Sequence, residues 1–266
     1  MDLPIDGSLF VRDGGTWVPT ELSRGPWDPG ALHGGPVAAL VVRELEQLPA
    51  PAPVRLARLT LELLRPVPLE PLTLEASVRR PGRKVSLVDA ELRRAVDGEP
   101  LALARGLRIR TDDVDFPDPG DEVLPGAPED AVVTLPDQPD APLAYHSHAT
   151  EHRFLRGEFG VPGPVFDWIR LQVPVVPGEV PTPWQRAAAA ADFGNGVSAV
   201  VPFDGSSLFI NPDLTIHLWR EPVGEWVGLD AATRTSPTGV GLAESALWDR
   251  TGRIGRSLQS LYLEHF

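Results

Sequence analysis

The chain has 266 residues, 42% of them hydrophobic and 23% charged, enough to bury a substantial core as one large domain or as two modules. It contains no cysteine, which excludes disulfide frameworks, thiolate metal sites, iron–sulfur clusters and cysteine nucleophiles. With 24 basic against 37 acidic residues the net charge is −13, which argues against duplex nucleic acid or an anionic membrane as partner.

Ten acidic residues and no basic one lie between Asp112 and Asp140, so the remainder carries 27 against 24, or −3. The acidity belongs to one segment. Lys84 is the sole lysine and stands in no G-x-x-x-x-G-K-[ST] loop, so phosphate-cradling and pyridoxal chemistry are poor fits. Asp2, Asp6 and Asp13 stand where a secretory leader would carry a basic start and an apolar core, and no apolar run of about 18 residues occurs. A soluble cytoplasmic protein is the expectation.

In chain order, Pro36 to Leu48 is mostly apolar, begins with proline at a first-turn position and stops before Pro49, which predicts a buried helix. Four strands should follow at Val54–Leu64, Leu72–Arg80, Val85–Arg94 and Leu101–Arg110, separated by proline and glycine turns. The Pro- and Asp-rich stretch from Thr111 to Pro142 has neither helical nor strand period and reads as a solvated linker that forms a surface strap. Beyond it Pro183–Ala191 reads as a second helix, with strands near Ser207–Leu218, Trp226–Ser236, Gly241–Asp249 and Ile254–Glu264.

The second half thus repeats the order of the first, and residues match as well. Leu59-Thr-Leu-Glu-Leu-Leu-Arg65 parallels Leu214-Thr-Ile-His-Leu-Trp-Arg220, an offset of 155 (214 − 59), and Ser86-Leu87 parallels Gly241-Leu242 at the same offset (242 − 87). Such a period signifies two copies of a domain, since solenoid units run about 20 to 50 residues. The fold class expected is α+β, with one helix packed on an antiparallel sheet in each copy. Domains are placed at 1–111 and 141–266, with the linker at 112–140.

Trp27-Asp-Pro-Gly-Ala-Leu-His33-Gly34-Gly35-Pro36, Ala190-Ala-Asp192-Phe193, Asn211-Pro-Asp-Leu-Thr215-Ile-His-Leu218 and Gln259 follow one another on this duplicated chain. In that order they resemble the TesB-like, or type II, acyl-CoA thioesterases of the 4-hydroxybenzoyl-CoA thioesterase-like superfamily, and the resemblance covers nearly everything outside the linker. It implies a tandem double hotdog, with two antiparallel sheets each wrapped on a long central helix. It also implies hydrolysis of an acyl-CoA to free acid and CoA without a cofactor. Acyl-CoA is then the partner, with no nucleic acid, no membrane and no metal. One chain should hold the whole two-unit sheet and one catalytic centre, with its outer surface left open to homo-oligomerisation that activity does not require.

His33-Gly34-Gly35 precedes a helix, where backbone N–H groups lack intrahelical acceptors and the dipole favours negative charge. Two glycines let a carbonyl approach that backbone, as an oxyanion hole requires, although they would equally serve a tight turn. In the resemblance the corresponding amides hold the thioester carbonyl. Asp192 follows an alanine-rich run, where an acid opposes the helix dipole. The resemblance makes it the catalytic carboxylate, either as base on water or by direct attack. The corresponding place in the first helix, near Val41, has no acid.

Gln259 shares a strand face with Leu261 and Leu263 and would need a polar partner there. The resemblance has it hold the attacking water. The family's hydroxyl position falls at Asn211 or Pro212, and proline offers neither hydroxyl nor N–H. Asn211 is the expected substitute, with Thr215 a poorer one. Asn211, Gln259 and Asp192 should therefore converge. His146, His148 and His152 read as an exposed cluster, and Trp168, Trp184, Trp219 and Trp248 as core or interface. Gly194-Asn-Gly196 follows a helix, which is the wrong context for a nucleotide fingerprint, and no G-x-S-x-G occurs. Two rival readings are a hotdog hydratase or dehydratase, with His33 beside a carboxylate, and a catalytically weak acyl-CoA-binding protein.

Overall fold

The structure is a computed structural model that describes residues 7–117, 122–135 and 141–266. Asp2, Asp6 and linker residues 118–121 and 136–140 lie outside them. In the first half a short hairpin, β1 (Phe10–Asp13) and β2 (Thr16–Pro19), precedes α1 (Gly34–Gln47), and β3 (Val54–Leu63), β4 (Leu72–Arg80), β5 (Val85–Arg94) and β6 (Pro100–Arg110) follow. The second half has β7 (Val133–Thr134), β8 (Thr150–Arg156) and β9 (Val165–Leu171) before its helices, α2 (Pro183–Ala191) and α3 (Phe193–Val197). It closes with β10 (Ser207–Ile210), β11 (Asp213–Leu218), β12 (Trp226–Thr235), β13 (Val240–Asp249) and β14 (Gly252–His265).

The strands form one 14-stranded sheet, ordered β1-β2-β4-β5-β6-β3-β11-β14-β13-β12-β9-β8-β7, with β10 also pairing β14. The expectation of two sheets gives way to a single one, because β3 and β11 are hydrogen-bonded to each other. Their register carries the duplication: Thr60 faces Thr215, Leu59 faces Ile216 and Leu61 faces Leu214. At the offset of 155, Thr215 corresponds to Thr60, Leu214 to Leu59 and Ile216 to Leu61, so the two copies pair reciprocally about a local twofold between the threonines. The two strand edges thereby satisfy one another within the chain.

The two helical segments differ. His33 caps α1, every residue from Gly35 to Arg43 is buried, and the helix stops at Leu48 before Pro49. Thr182 caps α2, accepting a hydrogen bond from the Gln185 N–H at 3.2 Å. The second helix is not long: it runs nine residues, breaks at Asp192 and continues as the five-residue α3. α1 and α2 touch backbone to backbone, since a Cβ on Gly35 would lie 2.5 Å from the Ala189 carbonyl oxygen. Trp184 locks α2 to the sheet by donating from Nε1 to the Leu56 carbonyl at 2.7 Å.

Leu124 packs against Phe166, Trp168, Trp226 and Trp248, and Trp168 Nε1 donates to the Gly126 carbonyl at 3.1 Å. Phe166 and Trp168 alternate along β9 with Val165 and Ile169 of the main core, so this tryptophan cluster sits on the opposite face of the sheet. Glu122 and Glu129 pair with Arg253 and Arg250. Residues 122–134 of the acidic segment are therefore docked rather than simply solvated, held by one leucine, a short strand and two ion pairs. Trp168, Trp184 and Trp248 are buried as expected, whereas Trp219 is exposed. Among the described residues no helix is long and apolar enough to cross a membrane.

Candidate active site

Asp192 stands where α2 ends and α3 begins, with its carboxylate 5% exposed. Three side chains reach it. Asn211, in the two-residue gap between β10 and β11, donates from Nδ2 to Asp192 Oδ1 at 2.9 Å. Gln259 on β14 donates from Nε2 to the same oxygen and to the Asp192 carbonyl, both at 3.1 Å. His33, from the other half of the chain, places Nδ1 2.9 Å from Oδ2. Gln259 also accepts the Asn195 N–H at 2.8 Å, so one amide group clips both sides of the helix break.

His33 Nδ1 is also 3.0 Å from the Gly35 N–H, and one ring nitrogen cannot donate to a carboxylate while accepting from an amide. We assign the proton to Nδ1, because an ionised Oδ2 beside a bare lone pair would be repulsive and a charge-assisted bond is the stronger of the two. The Gly35 N–H is then left for another acceptor, as first-turn amides are.

Gly34 is required by contact rather than by conformation. A Cβ there would lie 2.7 Å from Asp192 Oδ2 and 2.9 Å from Cγ and Oδ1. The Asp192 carboxylate and the start of α1 thus meet at van der Waals distance only because position 34 has no side chain. Each carboxylate oxygen offers about two lone pairs. Oδ1 is filled by Asn211 and Gln259, while Oδ2 keeps one free beside the α1 amides.

His33, Gly34, Gly35, Asp192, Asn211 and Gln259 are therefore brought together. Thr215 is not. Its neighbours Leu214 and Ile216 are buried in the main core, and strand alternation turns Thr215 to the opposite face. Pro212 contributes only its carbonyl, which accepts the Leu63 N–H at 2.7 Å.

The histidine cluster is a further correction. It is not exposed: His152 is 2% exposed, its Nδ1 is 2.6 Å from Asp167 Oδ2, and its Nε2 is 3.0 Å from Thr150 Oγ1. Its acidic partner comes from the neighbouring strand β9. Among the described residues no group could hold a metal. Burial raises the Asp167 carboxyl, against the opposing effect of His152. Burial, and then neighbouring His33, His152 and His148, lowers His146 to about 4, so it is neutral at pH 7.

Tyr145 had no legible motif, and Phe193 stood in the sequence only as the aromatic beside Asp192. The Phe193 ring lies 4.6 Å from both His33 and His152 and stacks on Tyr145 at 5.3 Å. Tyr145 donates from its hydroxyl to the Ala189 carbonyl at 2.8 Å. Burial, and then the Asp192 charge, raises its pKa well above the ordinary phenol value. These rings form a dry wall behind His33. The only sequence signal for it was the aromatic beside Asp192.

The protein is similar in structure to one described as a thioesterase II of Thermobifida fusca YX, with 16% identity over 99% of this chain and 98% of that one and a TM-score of 0.74. It is similar to a hotdog-fold protein of unknown function from Alicyclobacillus acidocaldarius (16% identity, 97% and 96% covered, TM-score 0.72). A third is the tesB protein of Mycobacterium avium subsp. paratuberculosis (17%, 96% and 95%, TM-score 0.66). These likenesses establish the hotdog fold. No curated protein matches the chain in sequence. Residues 23–109 match the acyl-CoA thioesterase N-terminal domain and residues 128–263 the acyl-CoA thioesterase C-terminal domain. Two complementary domains in their proper order, spanning most of the sequence, place the chain in the acyl-CoA thioesterase family, a family of thioester hydrolases.

Proposed function

We propose that the protein cleaves an acyl-CoA to the free acid and CoA by water attack assisted by Asp192, within a two-unit chain divided at 112–140. The observation that carries this is the Asp192 carboxylate pressed against Gly34, with its free Oδ2 lone pair beside the first amides of α1. The thioester carbonyl oxygen accepts from the Gly34 and Gly35 N–H groups, where the helix dipole stabilises developing negative charge. A water bound to Oδ2 gives its proton to Asp192 as its oxygen bonds to the carbonyl carbon. The tetrahedral intermediate collapses, the carbon–sulfur bond breaks, and the proton held by Asp192 leaves with the thiolate as CoA thiol. Asn211 and Gln259 occupy Oδ1 and so leave Oδ2 as the reacting oxygen.

The 2.9 Å contact of His33 with Asp192 favours one second reading, a hydratase or dehydratase in which His33 Nε2 moves the proton. Incubation with saturated and α,β-unsaturated acyl-CoAs, following thiol release and enoyl absorbance separately, decides between them. Thiol release from saturated acyl-CoAs is expected. Loss of enoyl absorbance with no thiol release would overturn the hydrolytic reading.

A further inference from the structure

Beside the site lies a run of aromatic rings that the mechanism does not use; Phe209 is buried and Phe159 packs against the core, while Trp27 and Phe203 face outward. Trp27, from the loop leading to His33, meets Phe209 edge-on at 4.9 Å and Phe203 at 5.4 Å. Phe203 lies 5.3 Å from Phe209 and stacks on Phe159 at 5.7 Å. Phe159 in turn stacks on His146, the neighbour of Tyr145, at 6.1 Å. Phe209 is two residues from Asn211, and its carbonyl accepts from Asn195 Nδ2 at 3.4 Å. The run therefore starts at the segment carrying His33, passes the segment carrying Asn211 and returns to the rings behind His33. The two loops that supply Phe159 and Phe203 are tied by the Gly163 N–H donating to the Ala199 carbonyl at 2.9 Å.

Trp27 is 50% exposed and Phe203 38%, so a contiguous aromatic surface opens to water next to the candidate site, the arrangement expected of a binding surface. The side toward the helices is closely packed. α1 and α2 are in backbone contact at Gly35 and Ala189, and Val37–Val42 and Ala187–Ala191 are at most 2% exposed. An acyl chain whose carbonyl sits at Gly34 and Gly35 cannot pass between the helices and must leave outward. His146, neutral at pH 7 with its Nδ1 lacking a protein partner, adds no charge to that exit.

We propose that Trp27, Phe159, Phe203 and Phe209 are the acyl-binding shelf, and that the protein selects long apolar acyl groups over acetyl by contact with these rings. This rests on the thioesterase reading for the identity of the ligand. The test is calorimetric titration with CoA thioethers, which cannot be hydrolysed, bearing methyl, hexyl and dodecyl groups. The native protein should bind the dodecyl ether at least about 30-fold more tightly than the methyl ether, because each buried methylene adds affinity. Phe203→Ala should weaken the dodecyl ether about 10-fold and the methyl ether, too short to reach the ring, less than about 3-fold. Phe203 is partly exposed, so the variant should fold, as its melting curve will verify. Affinity independent of chain length, or equal loss for both ethers, would overturn the shelf. Chain-length-dependent binding with no thiol release from the matching thioesters would support the shelf and remove the hydrolytic reading. Thiol release without chain-length dependence would do the reverse.

Discussion

Replacing Asp192 by asparagine changes one atom at the point where four groups meet. An asparagine oxygen in place of Oδ1 has two lone pairs and can still accept from Asn211 and Gln259. The new NH2 then faces His33 Nδ1, and two donors would collide unless the imidazole moves its proton to Nε2 and accepts. An imidazole changes tautomer at little cost, so the fold should persist, with a stability loss of about 1 to 2 kcal/mol as hydrogen bonds to a carboxylate become bonds to an amide. The base, however, is gone. Hydrolysis should fall at least about 100-fold, the lower range for general-base loss, or about 2.7 kcal/mol in the barrier. Thiol release under single-turnover conditions measures the loss, with thermal unfolding as the control. A folded variant with turnover within about threefold of the native protein would refute the assignment of Asp192 as the base.

Gly34→Ala puts a methyl group where three Asp192 atoms stand at 2.7 to 2.9 Å. The carboxylate must shift away from Asn211, Gln259 and His33, so a stability loss of about 1 to 3 kcal/mol should accompany a drop in kcat/KM of about 10-fold or more; undiminished activity would show that the Asp192–Gly34 contact is not catalytic. Gln259→Leu removes the clip at the helix break and leaves the Asn195 N–H and the Asp192 carboxylate without their partner; denaturant unfolding should show a loss of about 2 to 4 kcal/mol together with lost thiol release. Glu46 is buried against Thr182 and Gln185, and desolvation raises its carboxyl. The folded chain therefore holds that proton to higher pH than the unfolded chain does, and stability falls as pH rises above the unfolded value near 4.5. Glu46→Gln should raise the melting temperature at neutral pH and leave it unchanged below that value; equal melting at both would refute the burial cost.

Much of the architecture was legible because period and punctuation agree. α2 begins at Pro183 and ends at Ala191 as its sequence indicates, β4 and β5 match residue for residue, and the 155-residue repeat reappears in the pairing of β3 with β11. What stayed illegible depends on long-range contact. β8 and β9 carry Glu151, His152, Arg153 and Asp167 among their apolar residues, which blurs alternation. Two of those side chains, His152 and Asp167, face inward and meet across strands. The same blindness made the histidines read as exposed, since the partner of His152 lies 15 residues away. In the linker, composition averaged over many aspartates concealed one leucine and two glutamates that dock.

The site was legible for a different reason: each of its residues breaks a local rule. Asp192 opposes a helix dipole, Gln259 points into leucines, and Gly34-Gly35 weakens the start of a buried helix, and each violation is resolved by another. Ending α2 at Asp192 leaves the following amides without a continuous helical ladder, and Gln259 answers by accepting the Asn195 N–H while donating to the Asp192 carbonyl and carboxylate. The missing side chain at Gly34 is the space the carboxylate fills. The first half lacks this set, because α1 runs unbroken and Val37 to Val42 are fully buried apolar side chains. A carboxylate there would have no break to emerge from and no amide to accept from. Duplication supplied the two similar halves of one sheet, and at their junction a helix broken at an acid meets one opened by two glycines.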